Sequence, residues 1–441
     1  MLSEPVDSSI IIPMLDLKFI RDNLPLVLAN TRNRNSSADP EGVVRRFDER
    51  NRILKASESL RQRRNENAEK MKGKLSPQER AALVEEGKRL KQEIAALEQS
   101  LVQVEEELCG EALRIPNLTH PQVPIGNGEA NNRELKRWGT IPSFPFKAKD
   151  HLEIALALGL LDFEAAARVS GQKFYYLKNE AVLLELALLR YALDLLQAEG
   201  FTLTITPDIA QEAIVEGIGF SPRGPESNIY SLEGTGTCLI GTAEITLGGY
   251  YAGQILLAEQ LPIKLAGLSH CFRKEAGAAG QYSKGLYRVH QFTKLEMFIL
   301  CRPAQAEALH AYLLELEERI YRGLGIAYRV VDTCSGELGG PAYRKFDLEA
   351  WMPGRGEGGE WGEITSASNC TDYQARRLGI RFKEEGKNSF VHMLNGTAVA
   401  VPRTLIAILE NFQEQDGSVT IPERLRPYTG FNRIEKRERS R

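Results

Sequence analysis

The segment 271–298 places charged and aromatic side chains at the spacing of a β-strand face. Its second half reads GLYRVHQFTKLEMF, and every second residue from its arginine onward is polar or aromatic. Alternate side chains of a strand lie on one face, about 6.6 Å apart. That face would carry Arg288, His290, Phe292, Lys294 and Glu296, which is long enough to contact a nucleotide and a second small ligand. A solvated face with cross-strand ion pairs is the alternative.

Upstream of this run, Arg273 and Glu275 repeat the pattern, and a Gly-rich loop, 276–285, separates the two. Two strands joined by this loop would present two arginines and two glutamates on one surface. Arginine binds phosphate through paired N–H donors, carboxylates bind a metal ion or an amine, and a Phe ring stacks on a base. The predicted chemistry is therefore binding of a nucleotide beside a small charged ligand.

Three further segments, GTAEITL, WGEITSASN and HMLNGTAVAVPRTL, carry closely spaced polar residues. They contribute Thr242 and Glu244, then Glu363 and Ser366 with Asn369 nearby, then Asn395 and Thr397. The last run leads into a helix opened by Pro402, with Arg403 in its first turn, where anions are favoured. Each segment alone could be a capped turn or a buried hydrogen-bonded pair. Together with 271–298, they predict one cavity.

The elements that position these residues follow from hydrophobic periodicity. From about residue 151 to the end, short runs rich in aromatic and β-branched residues alternate with helical patterns. Helices are predicted at 181–199, 304–324 and 403–412. This alternation predicts an α+β domain with a largely antiparallel sheet. Residues 114–150 are rich in Pro, Asn and Gly and are predicted to be a linker.

Residues 39–113 predict a long antiparallel helical hairpin. Ser76 is a plausible N-cap, followed by Pro77 and then by Glu79, a capping-box pattern that starts the second helix. The apolar residues of that helix recur at alternating three- and four-residue spacings, as in a coiled coil. They are Leu83, Leu90, Ile94, Leu97, Leu101, Val104 and Leu108. The first helix, 43–74, would reach roughly 48 Å at 1.5 Å per residue.

The two helices of the hairpin differ in charge. Residues 43–74 contain 11 Lys or Arg against 5 Asp or Glu, and residues 76–108 contain 4 against 8. The opposite signs could hold the helices together across solvent. Alternatively, the basic helix could lie along a phosphate backbone. Charge alone leaves both interpretations open.

The two ends of the chain complete the domain plan. Residues 1–38 combine a polar extension with a small helical segment, and Met14 could be an alternative start. The tail from Arg433 has five basic and two acidic residues in nine positions and is expected to be disordered. The predicted domains are therefore 1–38, 39–113, the linker 114–150 and a large domain, 151–441.

Composition excludes several classes of protein. A formal net charge of −3 excludes a uniformly basic nucleic-acid coat. Six Cys without a C-x-x-C pair argue against a disulfide scaffold and against a zinc site. No apolar run approaches the 18 residues of a membrane span. The first 13 residues lack the Lys or Arg of a targeting peptide, so a cytoplasmic protein is expected.

Longer stretches resemble the class II aminoacyl-tRNA synthetases. FRKEAG with GLYRVHQFTKLEMF resembles motif 2, and LNGTAVAVPRTLIAILEN resembles motif 3. The helix 181–199 with FTLTITP, ending at Pro207, would be motif 1. Within the class, TAE, EITSASNCTDYQARR and the N-terminal hairpin are similar to the seryl-tRNA synthetase family. The resemblance runs from Met14 to about Phe431.

This resemblance implies ATP-dependent activation of L-serine and its transfer to tRNA(Ser), by a homodimer in which the hairpin grips the tRNA; tRNA(Sec) is left open as a second substrate. Arg273 and Arg403 would be catalytic, and Phe292 and Arg403 would enclose the adenine. The implied ATP-binding residues are Arg273, Lys274, Glu275, Arg288, Val289, Phe292, Glu363, Ile364, Thr365, Ser366 and Arg403. Glu363 and Ser366 would hold Mg²⁺. The implied serine-binding residues are Thr242, Ala243, Glu244, Arg273, Glu296, Asn395 and Thr397.

Two other functions share parts of this pattern. A ligase that loads amino acids onto carrier proteins would have the same large domain but lack the long hairpin. A catalytically silent paralogue that binds tRNA would be expected to lose motif arginines or glutamates, which are present here. Lys284 stands where the resemblance leads one to expect Arg, which keeps the charge but loses the paired donors.

Overall fold

The computed structural model describes residues 15–221, 227–276 and 282–436. The chain divides into two compact units, a smaller N-terminal one that ends at Leu118 and a larger one that begins at Thr119. The proposed extension before Met14 lies outside the described residues.

The N-terminal unit is helical. Its helices are α1 (Leu17–Asp22), α2 (Leu24–Asn33), α3 (Pro40–Lys70) and α4 (Pro77–Ala112). The predicted hairpin is confirmed, because α3 and α4 pack along their length. The Ser76 hydroxyl accepts from the Glu79 N–H at 3.3 Å, and the Glu79 carboxylate accepts from the Ser76 N–H at 2.8 Å, so the capping box is also present.

Charge pairs and a thin apolar seam hold the hairpin together. The arginines of α3 reach the glutamates of α4, so the two predicted charge patterns do attract each other. The pairs are Arg46–Glu107 at 3.1 Å, Arg50–Glu105 at 2.7 Å, Arg61–Glu98 at 2.8 Å and Arg63–Glu86 at 2.9 Å. Of the seven predicted seam residues, only Leu90, Ile94 and Leu108 are fully buried, because a two-helix hairpin encloses little volume.

The larger unit contains eighteen short or long strands among its described residues. They are β1 (Arg133–Trp138), β2 (Leu161–Asp162), β3 (Tyr176–Leu177), β4 (Thr202–Ile205), β5 (Ile209–Gln211), β6 (Ser231–Leu232), β7 (Thr237–Leu239), β8 (Ile255–Leu257), β9 (Ile263–Phe272), β10 (Gln291–Cys301), β11 (Tyr328–Asp332), β12 (Arg344–Met352), β13 (Glu360–Asn369), β14 (Arg381–Glu384), β15 (Lys387–Phe390), β16 (His392–Ala400), β17 (Val419–Thr420) and β18 (Arg433–Ile434).

Its helices alternate with these strands. They are α5 (His151–Ala157), α6 (Phe163–Ser170), α7 (Glu180–Ala198), α8 (Glu212–Ile218), α9 (Ala243–Gly249), α10 (Ala306–Leu324), α11 (Tyr373–Leu378), α12 (Val401–Asn411) and α13 (Arg426–Thr429). The three predicted helices correspond to α7, α10 and α12.

One eight-stranded sheet organises the unit, in the order β1-β11-β12-β13-β16-β10-β9-β4. All of its pairs are antiparallel except β4 with β9, so the predicted α+β class is confirmed. On β10, Leu295, Met297 and Ile299 join the core formed with α7, α10 and α12. Phe298 joins a second core, with α8, α9 and α11, on the opposite face.

The alternation in β10 carries a functional consequence. Glu296 has the same parity as Phe298, so it lies on the second face of the sheet, as do Lys294 and Phe292 nearer the start of the strand. The short helices cover only part of this face, and the uncovered part is where the polar residues gather.

Three expectations from the sequence need correction. Arg288 and His290 precede β10, which begins at Gln291, so they lie on the incoming loop and not on the strand face. The supposed linker 114–150 contains β1, an edge strand paired with β11, because its alternating charged residues conceal the strand pattern. Part of the tail expected to be disordered forms β18, which pairs with β17; 437–441 lie outside the described residues.

The seam of the hairpin gives a first prediction. Leu90→Ala should destabilise the hairpin by about 2–5 kcal/mol, because it empties a buried site between the two helices. Hydrogen exchange of α3 and α4 amides, followed by mass spectrometry on the full chain, should accelerate at least about 30-fold. The matched control is Val102→Ala on α4, where the side chain is 57% exposed. Equal acceleration in both variants would contradict the seam.

Candidate functional site

The uncovered sheet face opens into a cleft of about 590 Å³, including solvent at its mouth. Its walls come from the loop after β9, the residues leading into β10, the middle of β13, and the junction of β16 with α12. The lining residues are Arg273, Glu275, Leu286, Tyr287, Arg288, Val289, Phe292, Lys294, Glu363, Ile364, Thr365, Ser366, Thr397, Ala400, Pro402 and Arg403. Most residues of the predicted ATP site therefore share one cavity.

An ion pair between Arg403 and Glu363 lines the cleft. The guanidinium of Arg403 lies 2.9 Å from the Glu363 carboxylate and also donates to the Glu363 backbone oxygen at 3.2 Å. It sits 4.8 Å from the centroid of the Tyr287 ring. Burial raises the pKa of Glu363, but the charges of Arg403 and Lys345 outweigh burial and hold this pKa below its usual value. Glu363 is therefore ionised at neutral pH.

A β-bulge places Glu363 and Ser366 on the same face. In a regular strand, residues three apart point to opposite sides. Here Glu363 pairs with Glu349 and Thr365 pairs with Leu348, which leaves Ile364 as an extra residue. Because of this extra residue, Glu363 and Ser366 point to the same side of the strand, and a carboxylate and a hydroxyl converge on the cleft.

Arg273 also lines the cleft, just beyond β9. Its Nε donates to the Gly241 carbonyl at 3.1 Å, and its guanidinium lies 5.3 Å from the centroid of the Phe292 ring. The backbone of Arg273 is fixed by His290, whose ring nitrogen Nδ1 bonds the Arg273 carbonyl at 2.8 Å. His290 thus has a structural role.

Two more charged residues face each other across the loop. Arg288 donates to the Glu275 carboxylate at 3.0 Å. Glu275 adopts φ +51°, a left-handed conformation that is strained for a residue with a side chain and occurs often at ligand sites. The pair holds one positive and one negative side chain in the cleft together with Phe292.

A second group of polar side chains centres on Glu244. This residue lies in the first turn of α9, after Thr242, whose hydroxyl caps the helix by accepting the Glu244 N–H at 3.2 Å. The Glu244 carboxylate accepts from Gln374 at 2.7 Å and from Asn395 at 2.8 Å. Burial and the nearby Glu296 carboxylate raise the pKa of Glu244 to about 7. A cationic ligand would restore the ionised form.

Glu296 connects the group around Glu244 with the cleft, because it raises the pKa of Glu244 and contacts two residues that line the cleft. It is paired with Lys294 on the same strand face, and both side chains are buried. The Thr397 hydroxyl donates to Glu296 at 3.4 Å across the β10–β16 pair. A second bulge, at Ala398, keeps Thr397 and Ala400 on the cleft side of β16.

The structure brings together most of the residues predicted from sequence. Lys274 is an exception, because it does not line the cleft and its ammonium lies 5.7 Å from the Tyr230 ring. The guanidinium of Arg273 lies over the Phe292 ring, and that of Arg403 lies over the Tyr287 ring; enclosure of an adenine between Phe292 and Arg403 stays a prediction.

Sequence reasoning missed two contributors to the site. Tyr287 falls on a loop, where no periodicity marks it, and Gln374 reaches Glu244 from a helix 130 residues away in the chain. The segment TDYQARR, which contains Gln374, is unusually rich in polar residues for a helix, and this pattern indicates a polar contact.

This arrangement can bind an anion of several charges beside a small cationic group. Arg403, Arg288 and Arg273 supply phosphate-binding donors along the cleft, and Phe292 and Tyr287 supply ring faces. The polar group around Glu244 adds two carboxylates, those of Glu244 and Glu296, with the Thr397 hydroxyl and the Asn395 amide. Among the described residues, no helix combines the length and apolar character needed to cross a bilayer.

Two known domains match the chain. Residues 14–119 match the seryl-tRNA synthetase N-terminal domain, and residues 230–412 match the tRNA synthetase class II core domain (G, H, P, S and T). The serine–tRNA ligase of Treponema denticola is 58% identical over 96% of this chain and 100% of its own length. That of Borrelia recurrentis is 58% identical over 96% of this chain and 99% of its own length.

Solved structures also resemble the chain over nearly its whole length. A seryl-tRNA synthetase from Pyrococcus horikoshii, complexed with ATP, gives a TM-score of 0.89 at 39% identity and covers 96% of this chain and 100% of its own. A cytoplasmic serine–tRNA ligase from Naegleria fowleri, in complex with AMP, gives 0.84 at 32% identity and covers 96% and 99%.

The raised pKa of Glu244 gives a second prediction. Because the unfolded chain has the usual value of 4.5, the folded state binds the extra proton between pH 4.5 and 7, and stability falls as pH rises through that range. Glu244→Gln cannot ionise and should escape this loss. Relative to the parent, it should gain up to about 3 kcal/mol between pH 5 and pH 8, at 1.36 kcal/mol per unit.

The measurement is the melting temperature of the larger unit at both pH values, with the exposed Glu259→Gln as control. Glu296, Lys294 and Arg273 also face Glu244 and are unchanged in both variants. A stability difference that is the same at pH 5 and pH 8 would show that Glu244 does not titrate in this range.

Proposed function

Because this chain belongs to the seryl-tRNA synthetase family of class II aminoacyl-tRNA synthetases, we propose that it activates L-serine with ATP and transfers the seryl group to tRNA(Ser). A serine carboxylate oxygen attacks the α-phosphorus of ATP, and pyrophosphate leaves. The 3′-terminal ribose hydroxyl of the tRNA then attacks the seryl carbonyl, and AMP leaves. Since L-serine, ATP and tRNA(Ser) all occur in the cytoplasm, we propose that the enzyme acts there.

One observation carries this assignment: residues that line the phosphate-binding cleft also contact Glu296, beside the polar group around Glu244, which we take as the serine pocket. Arg273, Lys294 and Thr397 line the cleft, and Lys294 and Thr397 also contact Glu296. A small amino acid in the pocket would present its carboxylate to the cleft, where an α-phosphate can lie beside it. Such placement converts a bimolecular step into an effectively unimolecular one.

The described residues can account for the activation step without a side-chain nucleophile. Arg273 would hold the serine carboxylate and the α-phosphate in line and stabilise the charge that develops there. Arg403, which lines the same cleft, would bind the γ-phosphate and stabilise the departing pyrophosphate. Phe292 would stack on the adenine, and Arg288 would bind phosphate once Glu275 turns to the base.

The donor set also suits a magnesium ion. Mg²⁺ prefers oxygen ligands and usually keeps waters and substrate phosphates in its shell, so two protein ligands are sufficient. Glu363, held ionised by Arg403, and Ser366, brought to the same face by the bulge, would be those ligands. The ion would neutralise phosphate charge during transfer.

Selection of serine would come from the pocket around Glu296. A serine hydroxyl bonded to Glu296 and Thr397 leaves no polar group unpaired, whereas alanine would leave both without a partner, which is a strong basis for rejection. The ammonium would lie near Glu244, where Asn395 orients the carboxylate. Threonine adds only a methyl group, worth about 1–3 kcal/mol, so the pocket must exclude it by shape.

We assign the hairpin to tRNA binding. The basic helix α3 is long and exposed, and it belongs to the segment that matches the seryl-tRNA synthetase N-terminal domain. The same match disfavours a carrier-protein ligase, which would lack the hairpin. The retained motif residues Arg273, Glu275 and Arg403 disfavour a silent paralogue. Charging of tRNA(Sec) as well would depend on how the hairpin binds the long variable arm of that tRNA.

A homodimer is proposed from the outer edge of the sheet. The strand β4 ends the sheet, and an apolar face lies beside it: Ile205 is 84% exposed, and Leu183 and Leu186 of α7 are 47% and 58% exposed. Contiguous exposed apolar side chains of this size mark an interface. A second copy of the same face would cover them and also the open strand edge.

Serine-dependent ATP–pyrophosphate exchange tests the activity. Exchange should occur with serine and be at least about 100-fold weaker with alanine, because alanine leaves the pocket unsatisfied. Arg273→Ala should reduce exchange by about 10²–10³ or more. The matched control is Arg381→Ala, on β14 outside the cleft, where the side chain stacks on Phe390. Exchange by Arg273→Ala at the parent rate would overturn the assignment.

A shortened hairpin tests tRNA binding. The ion pair of Arg50 with Glu105 at 2.7 Å shows that these residues face each other, so 51–104 can be replaced by a short Gly-Ser turn. This keeps Val43, Leu108 and Ala112, which pack at the base of the hairpin. Pyrophosphate exchange should remain within about twofold, while the kcat/KM for tRNA should fall at least about tenfold. Unchanged charging of tRNA would contradict the role of the hairpin.

A further inference from the structure

Four separate segments of the larger unit meet at one buried imidazole, that of His151. His151 opens α5, and its side chain is fully buried. Around it lie Glu410 in the last turn of α12, Leu286 in the loop leading to β10, and Gly354 in the turn after β12. None of these residues was identified from the sequence.

Hydrogen bonds fix the tautomer of His151. Its Nε2 accepts the Leu286 backbone N–H at 3.2 Å and therefore carries no proton. Its Nδ1 consequently carries the proton and donates it to the Glu410 carboxylate at 2.9 Å. The same carboxylate oxygen accepts the His151 backbone N–H at 2.9 Å, and the other oxygen accepts the Gly354 N–H at 2.9 Å. Every donor and acceptor at this junction is thereby satisfied.

The junction reaches the cleft through the residues next to Leu286 and Gly354. The guanidinium of Arg355 lies 4.3 Å from the Tyr282 ring centroid and 5.1 Å from that of Tyr287. Tyr287 in turn faces the guanidinium of Arg403 at 4.8 Å. A continuous stack of rings and guanidinium groups therefore connects the two loops held by His151 with Arg403 in the cleft.

A surface pair reinforces the same junction. Lys284, which stands where Arg was expected, pairs with Asp150, the N-cap of α5. Gly285 adopts φ +55°, and a side chain there would collide with the His151 ring. The loop can therefore approach the imidazole only because this residue is glycine.

We propose that His151, held by Glu410, is a positioning residue for nucleotide binding. It fixes the loops at 282–287 and 354–355 so that Tyr287 and Arg355 hold Arg403 in the orientation that meets the phosphates. The identity of the nucleotide as ATP rests on the proposed function, whereas the clamp itself does not. His151 touches no reacting atom and acts only through these neighbours.

The test uses His151→Asn in the full chain. The Asn amide can replace Nδ1–H towards Glu410 but cannot reach Leu286, so only the bond to the loop is lost. An unpaired buried N–H favours opening of the loop, and hydrogen exchange over 282–290 should accelerate about tenfold, with exchange in α7 unchanged. His270→Asn is the matched control, because its ring pairs with Asp208 outside the junction.

Kinetics provide the functional readout. In the exchange assay, His151→Asn should raise the KM for ATP about five- to tenfold, with the KM for serine within about threefold, because Arg403 meets only the nucleotide. Lys284→Met, at a half-exposed side chain, should give a smaller change in the same direction. Lys284→Arg should restore the pair with Asp150 and the parent KM.

The outcomes separate the two proposals. Unchanged hydrogen exchange over 282–290 in His151→Asn would overturn the clamp, whether or not the protein is active. Faster exchange with equal increases in the KM for ATP and for serine would overturn positioning and indicate a general structural role. A parent protein that shows no pyrophosphate exchange would refute the proposed function and leave the hydrogen-exchange test valid.

Discussion

Charged side chains buried in the face of a sheet must be compensated, and this constraint shapes the whole cleft. Arg403 is balanced by Glu363, Arg288 by Glu275, and Lys294 by Glu296. The first two pairs join residues from different elements or loops, so their charges also hold those segments in position against one another, whereas Lys294 and Glu296 lie two residues apart on β10. A pair of opposite charges that a substrate can separate gives both the stability of the unliganded fold and the donors for binding.

Glu244 is an acid of this site whose charge is incompletely compensated. Two amides bond its carboxylate, yet burial and Glu296 still raise its pKa to about 7. The missing charge is that of a ligand ammonium. An amino acid therefore completes the electrostatics of the pocket, and its binding should be accompanied by release of a proton near neutral pH.

The sequence predicted the architecture well and the site incompletely. The antiparallel sheet, the helices α7, α10 and α12, and the capped hairpin follow from local periodicity. The bulges at Ile364 and Ala398 do not, because an extra residue is defined only by the partner strand. The junction at His151 joins residues more than 130 positions apart, and no local pattern reveals such contacts. The edge strand β1 was missed because all six of its residues are exposed.

The ion pairs along the hairpin affect how it can meet RNA. Arg46, Arg50, Arg61 and Arg63 of α3 are already matched by glutamates of α4, so these arginines are not fully available to neutralise phosphates. Binding of a phosphate backbone would have to displace those glutamates and would release fewer ions than the 11 basic residues of 43–74 imply. The hairpin should therefore discriminate by shape and tolerate salt better than its basic helix would if it stood alone.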